Sequence, residues 1–180
     1  MKLISVSIDN QKNLLQFLKD FPADFDGVEI RADSMSDLID WSVFKDFFDS
    51  LIIVFTCRKG LLDDTSRLTH YLNFAENFNG YLDVDLKDWK LWSNQLKAYK
   101  DRIVLSVHNY GGPEITSIEI SECISVQAAV VKFAISIEES WQGLALLKKL
   151  RLTEFGTSQL ILSCMGEAGQ WSRMAAKALG

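Results

Sequence analysis

The chain has 180 residues, 48% hydrophobic and 24% charged, which suits one globular domain with a substantial core. Its formal net charge is −5 and no Lys/Arg-rich patch stands out, so nucleic acid is not an expected partner. Its longest apolar runs are strand-sized, far short of the ~20 residues that span a bilayer, and the N-terminus reaches Asp9 too early for a signal peptide.

Short apolar strands alternate with amphipathic segments, the pattern of βα units and a parallel sheet. The first strand is read at Leu3–Ile8, and a helix follows through Leu14, Leu15, Phe17 and Leu18. A strand at Gly27–Arg31 leads to a Trp- and Phe-rich helix at Asp37–Phe48, then a strand at Leu51–Cys57 and a helix at Thr65–Phe78. Gly80 turns the chain into a strand at Tyr81–Leu86, followed by a helix at Trp89–Lys100 and a strand at Arg102–His108. The stretch to Gln127 is weakly patterned; a short helix at Ile118–Ile124 is opposed by its β-branched residues. A strand at Ala129–Ile135, a helix at Glu139–Leu152, a strand at Gln159–Met165 and a helix at Gln170–Leu179 complete the chain.

Seven βα units in one domain, residues 1–180, predict an α/β fold of the (β/α)8 TIM-barrel type lacking its eighth βα unit; the alternative is an open doubly wound sheet. Two features favour the barrel. No Gly-rich phosphate fingerprint follows the first strand. Polar residues also collect at the C-terminal ends of the strands, where barrel enzymes place their sites.

Lys132 interrupts the apolar run Val130-Val131-Lys132-Phe133-Ala134, which otherwise reads as a fully buried strand. A buried ammonium loses its water, so its pKa falls and the nucleophilic amine becomes accessible near neutral pH. That prepares a lysine for Schiff-base chemistry. His108, one of two histidines, ends another apolar strand and suits general acid/base work, although a lone histidine is more often structural. His70 reads as a surface residue. Asp83 and Asp85 share a strand face, and one of them could orient a histidine ring or cap the next helix. Glu29 and Arg31 share another face, as an ion pair solvating the barrel mouth or as ligand contacts. Arg58 offers fixed donors for hydroxyls or a carboxylate. After Met165, a glycine turn and a helix start favour an anion, with Arg173 as its ion-pair partner. No metal-ligand spacing appears. Cys57, Cys123 and Cys164 are odd in number and widely separated, so the protein reads as reduced and cytoplasmic.

Six segments in order resemble the type I 3-dehydroquinate dehydratases of the shikimate pathway: Glu29-Ile30-Arg31-Ala32-Asp33, Phe55-Thr56-Cys57-Arg58, Leu82-Asp83-Val84-Asp85-Leu86, Leu105-Ser106-Val107-His108-Asn109-Tyr110, Val130-Val131-Lys132-Phe133-Ala134 and Met165–Arg173. The resemblance implies that Lys132 forms an imine with the C3 ketone of 3-dehydroquinate and that His108, oriented by Asp85, moves the protons. It further implies that Glu29, Arg31 and Arg58 hold substrate hydroxyls, Arg173 takes the carboxylate and Met165 lines the pocket. No metal or organic cofactor is implied, and a homodimer is.

Departures from the family pattern, and the lysine taken alone, leave two other functions open. The orienting acid is usually glutamate, where this chain has Asp85, and the segment from His108 to Lys132 is short. The family's eighth strand, its Ser- and Gln-bearing lid and its last helix have no counterpart before Gly180. The chain therefore reads as part of a longer polypeptide, or as one that pairs with something supplying the missing strand. The other functions are a catalytically impaired relative that binds a polyhydroxylated carboxylate, and a different Schiff-base lyase or aldolase.

Overall fold

The structure, a computed structural model, describes residues 2–35, 37–48 and 51–172. Seven strands alternate with helices along the chain: β1 (Leu3–Ser7), α1 (Gln11–Lys19), β2 (Gly27–Arg31), α2 (Lys45–Phe48), β3 (Ile52–Thr56), α3 (Asp64–Asn77), β4 (Tyr81–Asp85), α4 (Leu86–Leu96), β5 (Ile103–Asn109), α5 (Ser117–Val126), β6 (Val130–Ser136), α6 (Ser140–Arg151) and β7 (Gln159–Met165). They fall in two compact units. One comprises Met1–Val84 and Trp92–Arg102, the other Asp85–Leu91 and Ile103–Gly180.

In the first unit β1, β2, β3 and β4 pair in parallel and in chain order. The register aligns Ser7 with Arg31, Arg31 with Thr56 and Thr56 with Asp83, so these polar residues share one face. On the other face Val28, Ile30, Ile53, Phe55, Leu82 and Val84 are buried. That face meets an aromatic cluster in which Phe55 stacks on Phe74 at 5.0 Å and Trp41 meets Phe74 edge-on at 4.9 Å. Each such pair adds about 0.5–1.5 kcal/mol beyond the area it buries.

The helix read at Asp37–Phe48 forms only in its second half, as a 3-10 turn at Trp41–Phe44 running into α2. Asp40 explains the late start. Its carboxylate accepts the Ser42 N–H at 3.1 Å and holds Asp40 extended as the cap. Before it, Ile39 is buried and its carbonyl accepts an amide proton of Asn73, so tertiary packing takes this stretch. Arg102, read as a strand start, instead ends a 3-10 turn at Lys97–Arg102. Its guanidinium donates to the carbonyls of Ala75 and Phe78 at the C-terminal end of α3. His70 on α3 is buried, not on the surface.

In the second unit β5, β6 and β7 pair in parallel. Leu105, Val131, Phe133 and Ile135 are fully buried on one face, where Phe133 meets Phe155 edge-on at 6.1 Å. Lys132 lies on the other face, level with Ser106 and Ile161; His108 is level with Ala134 and Ser163. The doubtful segment before β6 is helical, as α5, because Thr116 and Glu119 form a reciprocal capping box. The helix read at Gln170–Leu179 is described only through residue 172, and the rest of it lies outside the described residues. Among the described residues no helix is long and apolar enough to cross a membrane.

Candidate active site

Strand alternation brings the second unit's chemistry together. His108 and Lys132 sit on the same face of adjacent parallel strands, offset by one two-residue step. Strand rise and spacing put their Cα atoms about 8 Å apart. In register Lys132 is flanked by Ser106 on one side and Ile161 on the other, and the next residue on its own strand face is Ala134. Lys132 is half-buried rather than fully buried as its sequence context suggested. Val131, Phe133 and Ile135 across the strand are fully buried, while Lys132 shares its face with Ser106, His108, Ala134 and Ile161.

Asp85, at the end of β4, accepts the Lys87 N–H through Oδ1 at 3.0 Å and approaches His108 Nδ1 through Oδ2 at 3.3 Å. A carboxylate accepts but cannot donate, so it favours the tautomer with the proton on Nδ1. Nε2 is then the lone-pair nitrogen available to a substrate proton. The two readings of Asp85, helix cap and histidine partner, are both realised, by different oxygens. Tyr110 stacks against His108 with ring centroids 6.0 Å apart.

Met165 ends β7, half-buried, and its carbonyl accepts the Ile137 N–H. The turn beyond it is tight. A Cβ on Gly169 would lie 2.4 Å from the Cys164 carbonyl oxygen, so only glycine fits. Ser172 pins the turn, accepting the Cys164 N–H at 3.1 Å and donating to the Gly169 carbonyl at 2.8 Å. Arg173 lies outside the described residues.

The first unit gathers a second polar set at its strand ends. Thr56 donates its hydroxyl proton to Glu29 Oε1 at 3.0 Å. Arg31 shares a face with Glu29 but pairs with Asp33 at 2.6 Å. Arg58 pairs with Asp83, which is fully buried, at 2.5 Å. Of the two β4 aspartates, Asp83 thus serves an arginine and Asp85 the histidine. Sequence reasoning missed Thr56, Asp33 and Tyr71. Tyr71 on α3 is fully buried; its hydroxyl accepts the Cys57 N–H at 3.0 Å and donates to the Asp83 carbonyl at 2.7 Å. Burial drives its pKa upward, so the phenol stays protonated and can donate. Its one sequence signal is a hydroxyl-bearing aromatic on an apolar helix face, which needs a polar partner when buried.

The chain matches the family model of type I 3-dehydroquinase over residues 3–180. It belongs to that family. A search of curated proteins found no match. Among solved structures it resembles the 3-dehydroquinate dehydratase of Aquifex aeolicus VF5, at 22% identity and a TM-score of 0.73, covering 100% of this chain and 87% of that one. The enzyme of Enterococcus faecalis is 19% identical with a TM-score of 0.76, covering 99% of this chain and 84% of that one. The enzyme of Geobacillus kaustophilus is 17% identical with a TM-score of 0.80, covering 99% and 78%. At these identities the likeness speaks for the fold, the α/β TIM-type barrel, of which seven strands are found among the described residues. Membership of the type I 3-dehydroquinases makes the chain a lyase that dehydrates 3-dehydroquinate in the shikimate pathway.

Proposed function

We propose that this dehydratase works through an imine on Lys132, with His108 as the proton carrier. Lys132 condenses with the C3 ketone and releases water. The iminium draws electrons from C2, and Nε2 of His108 takes the C2 proton. The C1 hydroxyl then leaves as water, protonated by the same imidazole, and hydrolysis of the product imine frees 3-dehydroshikimate and the amine. Asp85 holds the imidazole in the required tautomer. Glu29, Arg31 and Arg58 take substrate hydroxyls, Arg173 the carboxylate, and Met165 lines the pocket; each role follows from the family motif at that position. The reading takes residues 1–180 as one barrel domain, acting in the cytoplasm as a homodimer or within a longer polypeptide. Three buried cysteines, none of them in a disulfide, support a reducing compartment, with burial pushing the Cys123 thiol up to about 12.

The observation that carries the reading is the Asp85–His108 contact, made on the strand next to Lys132. It also weighs against the impaired relative, since the shorter acid still reaches the ring. Intact-mass analysis after adding 3-dehydroquinate and borohydride, with peptide mapping, tests it beside a turnover assay. A reduced adduct on Lys132 with product formation is expected. An adduct without turnover would favour the impaired relative, and no adduct on folded protein would count against the imine.

A further inference from the structure

We propose that Asp33 is a positioning residue that sets Arg31 and Arg58 for the substrate; the proposal rests on the reading in which those arginines hold substrate hydroxyls. The two oxygens of Asp33 serve two different segments. Oδ2 accepts from Nε and Nη2 of Arg31, at 3.0 and 2.6 Å, a side-on fork that fixes the plane of the guanidinium. Oδ1 accepts the backbone N–H of Arg58, 25 residues away, at 2.5 Å. The far end of Arg58 is held by Asp83, so Asp33 sets where that side chain begins and Asp83 where it ends.

The local turn does not need this carboxylate. It is closed by the backbone, the Met35 N–H donating to the Ala32 carbonyl at 3.1 Å, and the Ala32 N–H extends the β2–β3 pairing by donating to the Thr56 carbonyl at 2.8 Å. Asp33 is therefore carried out at a defined height above the strand ends. The loop after β3 is built to meet it, because a Cβ on Gly60 would lie 2.7 Å from the Asp33 carbonyl oxygen. Arg31 is 42% exposed and has a long, rotamer-rich side chain, so its aim depends on the fork. An asparagine at position 33 has the same shape but only one accepting atom. It keeps one contact and turns an NH2 group toward the other donor.

A double-mutant cycle of D33N with R31A, read as KM and kcat on 3-dehydroquinate with melting temperatures alongside, tests this. D33N is expected to raise KM about tenfold with kcat within about threefold. In the R31A background its effect is expected to shrink to about threefold, the part acting through Arg58. Additive effects, an unchanged or lowered KM, or a lowered melting temperature without a KM change would each overturn the proposal. G60A, which displaces the loop from Asp33 and leaves the carboxylate intact, is expected to raise KM in the same direction and serves if D33N folds poorly. A wild type that neither turns over nor binds the substrate overturns the functional reading and this proposal with it. An active wild type with an additive cycle overturns this proposal alone.

Discussion

His70 is 3% exposed on α3, and burial lowers its pKa. The sign of its effect follows directly. Folded, the ring resists protonation; unfolded, it protonates near its ordinary value of about 6.5. Below that pH the unfolded chain gains a proton that the native chain does not, so stability falls as pH drops from about 6.5 toward the folded pKa and is constant above it. Urea unfolding of wild type and H70Q at pH 8 and pH 5 should show the wild type losing ground to the variant at the lower pH. An equal difference at both values would show that the ring pays no such penalty. The same contrast between sequence and burial runs through the candidate site. Asp85, His108 and Lys132 were legible because polar groups at the ends or within apolar strands are chemically conspicuous. Asp33 and Thr56 were not, because their roles lie in contacts across 25 and 27 residues that no periodicity encodes.

At the scale of elements, α5 is the helix whose existence rests most on its cap. Its residues Ser117–Val126 include three isoleucines, which cost helix propensity. Thr116 compensates, its hydroxyl accepting the Glu119 N–H at 3.1 Å while the Glu119 carboxylate accepts the Thr116 N–H at 2.9 Å. T116A should destabilise the protein by about 1 kcal/mol in urea unfolding. A variant as stable as wild type would mean that packing of Ile120 and Cys123 holds the helix without its cap. The Thr-x-x-Glu spacing was present in the sequence, and weighing it above the β-branched residues would have placed this helix. β2 and β7 matched their readings residue for residue, at Gly27–Arg31 and Gln159–Met165, because a short alternating run in β2 and a short apolar run in β7, each set between polar or turn residues, leave little choice. The Asp37–Phe48 reading failed at its first half because helical spacing of apolar residues cannot reveal that Asp40 caps a turn and Ile39 is drawn into the core.

For the molecule as a whole, the outer strands decide how copies of the chain behave toward one another. Among the described residues β1 pairs only with β2 and β7 only with β6, which leaves one backbone edge open on each. Neither Leu-Ile-Ser-Val-Ser nor Gln-Leu-Ile-Leu-Ser-Cys-Met contains a charge or a proline, the usual means of protecting an edge. On β7 the Gln159 N–H points inward to the Ala129 carbonyl. Parallel pairing alternates, so the amides of Leu160, Leu162 and Cys164 face outward; of these, the Cys164 N–H is taken by Ser172. The Leu160 and Leu162 end of the strand is therefore the part open to another chain. Sedimentation velocity over a tenfold range of protein concentration should show an average sedimentation coefficient that rises with concentration. L160K places a charge on this edge and leaves the inward hydrogen bonds in place, so it should suppress the rise without changing the far-ultraviolet circular dichroism spectrum. A coefficient independent of concentration in the wild type, or a rise that L160K leaves intact, would show that the β7 edge does not recruit a second copy.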